Sequence, residues 1–328
     1  MERRNFGNTN LNVSRLTFGC GAVGGLMTKG SAADQDRAIG WARDNGINFF
    51  DTAASYGDGV SEENLGRALN GNKDGLVIST KVGIYNDDLA DIAGTINRSI
   101  DASLVRLNLD HVDILQLHNT LGRTDFRGML TMAQIIDEVI PALNKLRDSG
   151  KVRFLGFTAK GEADDVHKLI ECGVFNSAQV FYNLLVPSAG EVMPANYPAD
   201  DFRMLLDAAL ANGVGAIGVR VLAGGALSGH EDRHPLGMQL VTPIGSETDY
   251  ATDVQRARKF LPLVEAGHAD NLPELAIRYV ISNPDLPTTE IGIATLDELA
   301  QATAAVNKGP LSDEVLAVIK TIQAGFVI

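Results

Sequence analysis

Cysteine is almost absent from this chain of 328 residues, which contains only Cys20 and Cys172. Two cysteines cannot supply the disulfide framework of a small secreted domain or the ligand pairs of a structural zinc site. Their scarcity favours a reducing compartment, and residues 1–5 lack the apolar run of a signal peptide. We therefore expect a cytoplasmic protein without a bound metal.

Long apolar runs and excess basic charge are also missing. No stretch approaches the roughly 18 apolar residues that a membrane helix needs, and the formal net charge is −13. Since an acidic chain repels the phosphates of nucleic acids and of anionic membranes, neither is expected as a partner. A hydrophobic fraction of 45% and 34 glycines instead suit a packed α/β protein with a large core.

Strand-like and helix-like segments alternate along most of the chain. Residues 5–10 contain the turn residues of a hairpin, and residues 11–16 are its predicted returning strand. Further strands are predicted over 16–20, 48–53, 76–81, 111–118, 152–158, 177–183, 214–222 and 289–294. Helices are predicted over 33–45, 62–69, 90–107, 131–149, 163–172, 199–211, 253–264, 272–282, 296–306 and 312–323.

This alternation, without any linker, predicts a single (β/α)₈ barrel domain over residues 1–328, with an N-terminal β-hairpin and an extra C-terminal helix. The alternative is a doubly wound sheet, which usually carries G-x-G-x-x-G between its first strand and first helix. Residues 19–24 fit that spacing, but Gly25 and Lys29-Gly30 follow instead of a helix that opens on the third glycine. We interpret the segment as a turn and prefer the barrel.

Titratable residues stand at three successive predicted strand ends, where a barrel of this kind carries its functional groups. Asp51, Lys81 and His118 occupy these ends, and Tyr56 lies in the loop after Asp51. Each residue alone could serve as a cap, a packing residue or a solvated residue. Their coincidence at neighbouring strand ends predicts a shared catalytic site.

These side chains form a coherent set for proton transfer. An unperturbed tyrosine has a pKa near about 10; a neighbouring ammonium lowers it, and a buried carboxylate holds that ammonium in place. A histidine can donate to a carbonyl oxygen and stabilise the negative charge that develops there. The set can therefore move a proton at a carbonyl or an alcohol, while a nicotinamide would supply the hydride.

At these residues the chain resembles the aldo-keto reductase superfamily. Besides the hairpin segment, the matching motifs are Asp51-Thr-Ala-x-x-Tyr56-Gly, Ser79-Thr-Lys81, Val112-Asp-Ile-Leu-Gln-Leu-His118, Gly150-Lys-Val-Arg-x-Leu-Gly156 and Gln179-Val-x-Tyr-Asn183. The resemblance implies a catalytic tetrad of Asp51, Tyr56, Lys81 and His118, with Tyr56 as general acid in reduction and general base in oxidation. It also implies that NAD(P)(H) binds in extended form, with its nicotinamide over the barrel mouth.

The resemblance further implies a set of cofactor contacts. The candidates are Gly21, Asp51, Thr158, Gln179, Arg220, Leu222, Gly224, Ala294 and Thr295. Thr158-Ala159 stands where the family commonly has Ser-Asn, and Val219-Arg220 stands in place of the usual aromatic residue. The ring that stacks on the nicotinamide is therefore not evident, while Arg220 could bind pyrophosphate or an anionic substrate.

The expected adenosine end departs further from the family pattern. Ile293, Leu299 and Ala302-Thr303 stand at its usual contact positions, and no cation in that segment is placed for a 2′-phosphate. NADP(H) is the commoner cofactor of the family, but these replacements favour NAD(H). We therefore hold the two cofactors equally in view.

Substrate choice is expected to lie in the loops 27–31, 85–88, 119–129, 193–197 and 230–249. These loops supply a mixture of basic and polar side chains, namely Lys29, Tyr85, Arg123, Arg127, His230, Arg233 and His234. The mixture favours a small polar or anionic carbonyl or alcohol, such as a sugar, a sugar acid or an aldehyde, over a large steroid.

Two other functions stay open at this point. A lysine at a strand end can form a Schiff base, so Lys81 could serve a lyase or aldolase. Alternatively, the barrel could be a regulatory subunit that binds the cofactor but turns over slowly.

Overall fold

The strands form a closed barrel in the computed structural model, which describes residues 1–122 and 130–327. An antiparallel pair comes first, β1 (Arg3–Asn5) and β2 (Asn12–Ser14). The barrel strands are β3 (Leu16–Gly19), β4 (Phe49–Asp51), β5 (Val77–Val82), β6 (Val112–Leu117), β7 (Val152–Thr158), β8 (Ser177–Phe181), β9 (Gly215–Val219) and β10 (Thr288–Gly292). Their closed order, β10-β3-β4-β5-β6-β7-β8-β9, confirms the (β/α)₈ barrel and excludes the doubly wound sheet.

Helices follow the strands and cover the barrel. They are α1 (Leu26–Lys29), α2 (Ala32–Asp44), α3 (Val60–Leu69), α4 (Ile92–Leu107), α5 (Met132–Gln134), α6 (Ile140–Asp148), α7 (Ala163–Glu171), α8 (Leu205–Ala211), α9 (Tyr250–Arg258), α10 (Leu261–Glu265), α11 (Leu272–Ser282), α12 (Leu296–Lys308) and α13 (Asp313–Ala324). The last of these confirms the extra C-terminal helix. Among the described residues, no helix is long and apolar enough to cross a membrane.

The hairpin closes the end of the barrel at which the strands begin. Phe6, in the turn between β1 and β2, is fully buried, and its ring meets the ring of Phe49 edge-on at 5.8 Å. The same ring fills the space beside Gly215, where an added Cβ would lie 2.7 Å from it. With this end plugged, the opposite end, where the strands finish, is the one that can bind ligands.

Two predicted helices differ from the structure. The helix expected over 199–211 begins only at Leu205, because Arg203 and Met204 have φ values of +49° and +56°, which an α-helix cannot contain. The helix expected over 253–264 is divided into α9 and α10. Pro262 lies in the first turn of α10, a position that proline favours, whereas its ring would disrupt the interior of one longer helix.

The segment after β9 folds across the open end of the barrel. Its Met238 amide donates to the Ala22 carbonyl at 3.1 Å, and Gly25 packs so closely that an added Cβ would lie 1.9 Å from the Leu236 carbonyl. Arg233 ties the segment down, because its guanidinium donates to the carbonyls of Gly224 and Met238, to the Val23 carbonyl at 3.3 Å and to the Tyr250 hydroxyl at 3.0 Å. The segment therefore forms one wall of the space above the strand ends.

Candidate active site

A cavity of about 1050 Å³ opens above the ends of the barrel strands and continues between α11 and α12. Tyr56 and His118 line it at the barrel mouth, and Glu298 and Gln301 line it along α12. Asp51 and Lys81 lie beneath its floor, with 0% and 2% of their surfaces exposed. The strand ends thus bring the four predicted catalytic residues to one place, although they are up to 67 positions apart in the chain.

Lys81 is the centre of this cluster. Its Nζ atom forms an ion pair with Asp51 and donates to the Thr52 carbonyl at 2.8 Å and to the Tyr56 hydroxyl at 3.1 Å. The same nitrogen lies 4.6 Å from the centre of the Tyr56 ring. An ammonium has three protons, and these three oxygen partners account for all of them.

The electrostatics of the cluster keep both Lys81 and Tyr56 protonated. Burial disfavours the charge on Lys81, but the Asp51 carboxylate, the Tyr56 hydroxyl and Glu290 together outweigh burial and raise the pKa of Lys81. Burial also raises the pKa of Tyr56, and although the Lys81 ammonium opposes this, it does not reverse it. The sequence predicts that the ammonium lowers the pKa of Tyr56 below its ordinary value. In the structure this pKa is raised instead, so the neutral phenol is the resting form and Tyr56 has a proton to donate.

His118 faces Tyr56 across the floor of the cavity. It follows the last residue of β6, and its amide donates to the Val82 carbonyl of the neighbouring strand β5 at 2.8 Å. The rings of Tyr56 and His118 are perpendicular, with an interplanar angle of 89° and centroids 6.1 Å apart. Two polar side chains from different strand ends therefore border the same small space.

Asp51 is held by more partners than sequence reasoning identified. Gln116, the penultimate residue of β6, donates from Nε2 to the second carboxylate oxygen of Asp51 at 3.1 Å and to the Ser79 hydroxyl at 2.9 Å. Gln179 on β8 donates to the first carboxylate oxygen at 3.3 Å. These bonds fix the carboxylate so that it faces Lys81. The signal for Gln116 in the sequence is a polar residue two positions before His118 in a buried strand.

Glu290 is a further titratable residue at the site that the sequence analysis missed. It lies on β10, lines the cavity and accepts a hydrogen bond from Gln179 Nε2 at 2.9 Å. Burial and the nearby Asp51 carboxylate raise the pKa of Glu290 to about 8. At neutral pH its carboxyl is therefore mainly protonated. The sequence does carry a signal, because a glutamate interrupts the strand Thr288–Gly292, but no strand-end argument singles it out.

The similarity of the whole chain to known proteins agrees with this site. The model of the Aldo/keto reductase family matches residues 15–324. The chain belongs to this family. It is 30% identical to the L-galactose dehydrogenase of Arabidopsis thaliana over 94% of this chain and 89% of that protein. It is 25% identical to the NADH-specific methylglyoxal reductase of Escherichia coli strain K12 over 94% of each chain.

Two further similarities show the range of this family. A protein of Arabidopsis thaliana named as a probable voltage-gated potassium channel subunit beta is 26% identical over 95% of this chain and 93% of its own. A solved aldo-keto reductase from Bacillus halodurans, in its holo form, has a TM-score of 0.72 and 23% identity over 98% of this chain and 96% of that one. The second likeness shows the shared fold. As an aldo/keto reductase, the present chain is an NAD(P)-dependent oxidoreductase.

Most of the predicted cofactor contacts line the cavity of this aldo/keto reductase. Those that do are Gly21, Thr158, Gln179, Arg220, Leu222, Gly224 and Ala294. Asp51 lies below the floor, and Thr295 caps the start of α12 through the Glu298 amide instead of lining the cavity. The glycines matter for access, because an added Cβ at Gly21 would lie 3.5 Å from the Tyr56 ring.

The cavity fits an extended dinucleotide in both size and donor set. Gln179 presents an amide whose Oε1 accepts from the Thr158 hydroxyl at 3.0 Å, so its orientation at the floor is fixed. Arg220 supplies a cation beside the floor; it has a φ of +57°, and Asn183 donates to its carbonyl at 2.9 Å. Gly224 and Gly225, both with positive φ, follow it and line the cavity.

Several sequence expectations about this cavity need correction. Leu299 and Thr303 are buried at 2% and 4% exposure, so neither faces the cavity, and Glu298 and Gln301 line it instead. Lys308, which the sequence analysis overlooked as a cation, also lines the cavity. The error is one of helix register, because the face of α12 that meets the cavity includes positions 298, 301 and 302.

The predicted substrate loops contribute unequally. Tyr85, His230 and His234 line the cavity, and so does Arg233, although its guanidinium is engaged in holding the segment after β9. None of the residues 27–31 or 193–197, all of them described, lines it, so Lys29 is not part of this site. Arg123 and Arg127 lie outside the described residues.

A pH dependence of stability follows from Glu290. Its pKa is about 8 in the folded protein against an ordinary 4.5, so between these values the unfolded chain loses a proton that the folded chain keeps. The wild type therefore loses stability as pH rises from about 4.5 to about 8. A Glu290→Gln variant lacks this loss, and its advantage in unfolding free energy over the wild type is expected to grow by about 4 kcal/mol across the window.

Urea unfolding at a series of pH values measures this difference. Glu231→Gln, at an exposed glutamate, is the matched control and should give a constant difference from the wild type. If the difference in unfolding free energy between Glu290→Gln and the wild type is also constant with pH, the Glu290 carboxyl ionises normally in the folded protein.

Proposed function

We propose that this protein transfers hydride between NAD(H) and the carbonyl or alcohol group of a small, polar, hydroxylated substrate, with aldoses as the best-matched class. The observation that carries the proposal is the 3.1 Å contact between Lys81 Nζ and the Tyr56 hydroxyl, made at the floor of a large cavity by a lysine paired with Asp51. A phenol next to a fixed ammonium can give up a proton to a substrate and regain it.

The side chains divide the work of reduction between them. The nicotinamide supplies hydride to the carbonyl carbon when it is bound. The Tyr56 hydroxyl donates its proton to the carbonyl oxygen, and the Lys81 ammonium stabilises the phenolate that is left. Asp51 keeps Lys81 charged and in position, and His118 orients the carbonyl oxygen on the other side of the shared space. In oxidation, the Tyr56 phenolate takes the proton of the alcohol.

Schiff-base chemistry on Lys81 is poorly supported by the same contacts. A nucleophilic amine must be neutral and must reach the carbonyl carbon. Lys81 has a raised pKa, all its protons are engaged, and only 2% of its surface is exposed. The similarity to a protein named as a potassium channel beta subunit makes a regulatory role the second candidate function. Measured turnover of a carbonyl or alcohol would favour the enzyme, and binding of the cofactor without turnover would favour the regulatory role.

Replacing Tyr56 by phenylalanine removes the proposed proton carrier and little else. We expect kcat to fall by at least about a hundredfold, because general acid catalysis contributes about 10² to 10⁴. The dissociation constant of the cofactor, measured by fluorescence titration, should change by less than about threefold. Tyr197→Phe is the control, since that hydroxyl donates to the Leu185 carbonyl and does not line the cavity. Wild-type turnover in Tyr56→Phe would show that another group carries the proton.

The rim of the cavity supports a polar substrate. The side chains around Tyr56 and His118 include Ser55, Asp58, Tyr85, Asn119, Lys160 and Arg220. A hydroxylated ligand can form hydrogen bonds with polar groups of this kind, whereas an apolar ligand cannot. The similarity over most of the chain to a dehydrogenase named for L-galactose and to a reductase named for methylglyoxal supports small oxygenated substrates.

A panel of carbonyl compounds and alcohols tests the substrate class. We expect kcat/KM for hydroxylated aldehydes and aldoses, each assayed in the direction that gives turnover, to exceed that for apolar ketones of equal size by at least about tenfold. Steady-state rates with matched pairs of similar carbon number provide the comparison. A preference for apolar ketones would contradict the inference that the rim of the cavity binds polar substrates.

The charges along α11 and α12 favour NAD(H) over NADP(H). Lys308 is the cation that a 2′-phosphate would need, but its ammonium already pairs with Asp270 and Glu274, each at 2.7 Å. Glu298 adds another carboxylate, which accepts from the Ala294 amide at 2.7 Å and is thereby fixed at the start of α12. A ribose hydroxyl can donate to a carboxylate, whereas a phosphate dianion is repelled by it.

Cofactor preference is therefore expected to depend on Glu298. The wild type should use NADH with a kcat/KM at least about ten times that with NADPH, and Glu298→Gln should narrow the ratio by about threefold to tenfold. Asp297→Asn removes an equal charge from the neighbouring position, which does not line the cavity, and should leave the ratio unchanged. A wild-type preference for NADPH would overturn this assignment of the cofactor.

A further inference from the structure

We propose that Glu290 makes the site discriminate between the oxidised and the reduced nicotinamide according to pH. In this role the ionised carboxylate of Glu290 favours the cationic, oxidised ring, and the protonated carboxyl does not. The inference rests on the proposed function, because the charge difference between the two forms of the ring exists only for a nicotinamide cofactor. It concerns a residue outside the four that move the proton.

The position of Glu290 follows from a chain of contacts that starts at the proton carrier. The Tyr56 hydroxyl lies 3.1 Å from Lys81 Nζ, and Lys81 is paired with Asp51. Gln179 donates to both Asp51 and Glu290, at 3.3 Å and 2.9 Å, so the two carboxyl groups share one amide. Glu290 also lines the cavity directly.

The geometry of hydride transfer brings the nicotinamide ring to this same floor. The carbonyl oxygen must lie within hydrogen-bond reach of the Tyr56 hydroxyl, about 3 Å. The carbon atoms that exchange hydride must lie about 3 to 3.5 Å apart. The ring is therefore held within a few ångströms of Tyr56 and of the cluster beneath it, close enough for an uncompensated charge on Glu290 to act on it.

The balance of charge at the floor decides the sign of the effect. Lys81 and Asp51 offset each other, so ionisation of Glu290 lowers the net charge at the floor, to which Arg220 also contributes, by one unit. The oxidised nicotinamide ring carries one positive charge and the reduced ring carries none. Since the two cofactors share the same phosphates and riboses, the effect of Glu290 on their ratio comes from the ring alone.

Other titratable groups border Glu290 and could obscure this effect. They come from several elements, namely Cys20 after β3, Asp51 on β4, Tyr56 in the loop after β4 and Lys81 on β5. His118 after β6 and Arg220 after β9 line the same cavity. Burial raises the pKa of Cys20 and of Tyr56, and the pKa of Lys81 is raised as well, so these groups hold their protons. A variant at Glu290 separates its contribution from that of His118.

Dissociation constants for NAD⁺ and NADH, measured at pH 6.5 and pH 9 with the intact protein, test the proposal. For the wild type, the ratio of the NADH constant to the NAD⁺ constant is expected to rise by about five- to tenfold with pH. In Glu290→Gln the ratio should stay constant within about twofold. Asp232→Asn removes an exposed charge from the cavity rim and should keep the wild-type rise.

Proton release measured by titration calorimetry in buffers of different ionisation enthalpy provides an independent readout on the wild type alone. By linkage, NAD⁺ binding near pH 8 should release a fraction of a proton, and NADH binding should release less. A flat ratio in the wild type, or the same rise in Glu290→Gln, would overturn the role of Glu290 while leaving the proposed function intact. If neither NAD⁺ and NADH nor NADP⁺ and NADPH bind to the protein, the proposed function and the role of Glu290 are both overturned.

Discussion

The buried ion pair between Lys81 and Asp51 is the interaction on which the rest of the site depends. A buried charge is costly unless its partners replace the water it has lost, and here each member of the pair has several. Lys81 reaches Asp51, the Thr52 carbonyl and Tyr56, while Asp51 also accepts from Gln116 and Gln179. Lys81 and Asp51 lie on the neighbouring strands β5 and β4, so the pair forms when these strands come together, and Gln116 on β6 and Gln179 on β8 then hold the carboxylate. The same pairing of strands places the Tyr56 hydroxyl at the ammonium, so the stability of the pair and the chemistry of the phenol have a common origin.

Glu290 adds a second carboxyl group to this balanced pair. Two acids that share one lysine cannot both ionise without leaving a net negative charge beside it, and Glu290 is the one whose pKa is raised, first by burial and then by Asp51. Its pKa of about 8 lies near physiological pH, so a modest change in surroundings is enough to ionise it. The charge of the cavity floor therefore depends on the protonation of a single glutamate in β10.

The cavity above the floor is built by elements that contribute little to the barrel itself. The segment after β9 is held across the mouth by Arg233, whose guanidinium binds backbone carbonyls on both sides of it. An arginine that looks like a substrate ligand in the sequence thus serves to hold a wall in place. At the end of the cavity between α11 and α12, the ammonium of Lys308 likewise forms ion pairs with Asp270 and Glu274. In both places the partners of a charged residue in the fold, and not its charge alone, decide its role.

The sequence by itself determined the barrel, the order of its strands, the three titratable residues at the strand ends and Tyr56 in the loop after the first of them. Strand and helix periodicity is a local property, and the ends of parallel strands meet at one face of a barrel, so Asp51, Lys81 and His118 could be brought together without a structure. Only the tertiary structure decided which groups keep their protons and which face of α12 meets the cavity. Burial and the Asp51 carboxylate on another strand raise the pKa of Glu290, and Leu299 is buried whereas Glu298 is not, because these properties depend on packing between segments hundreds of residues apart or on a helix rotation of one position.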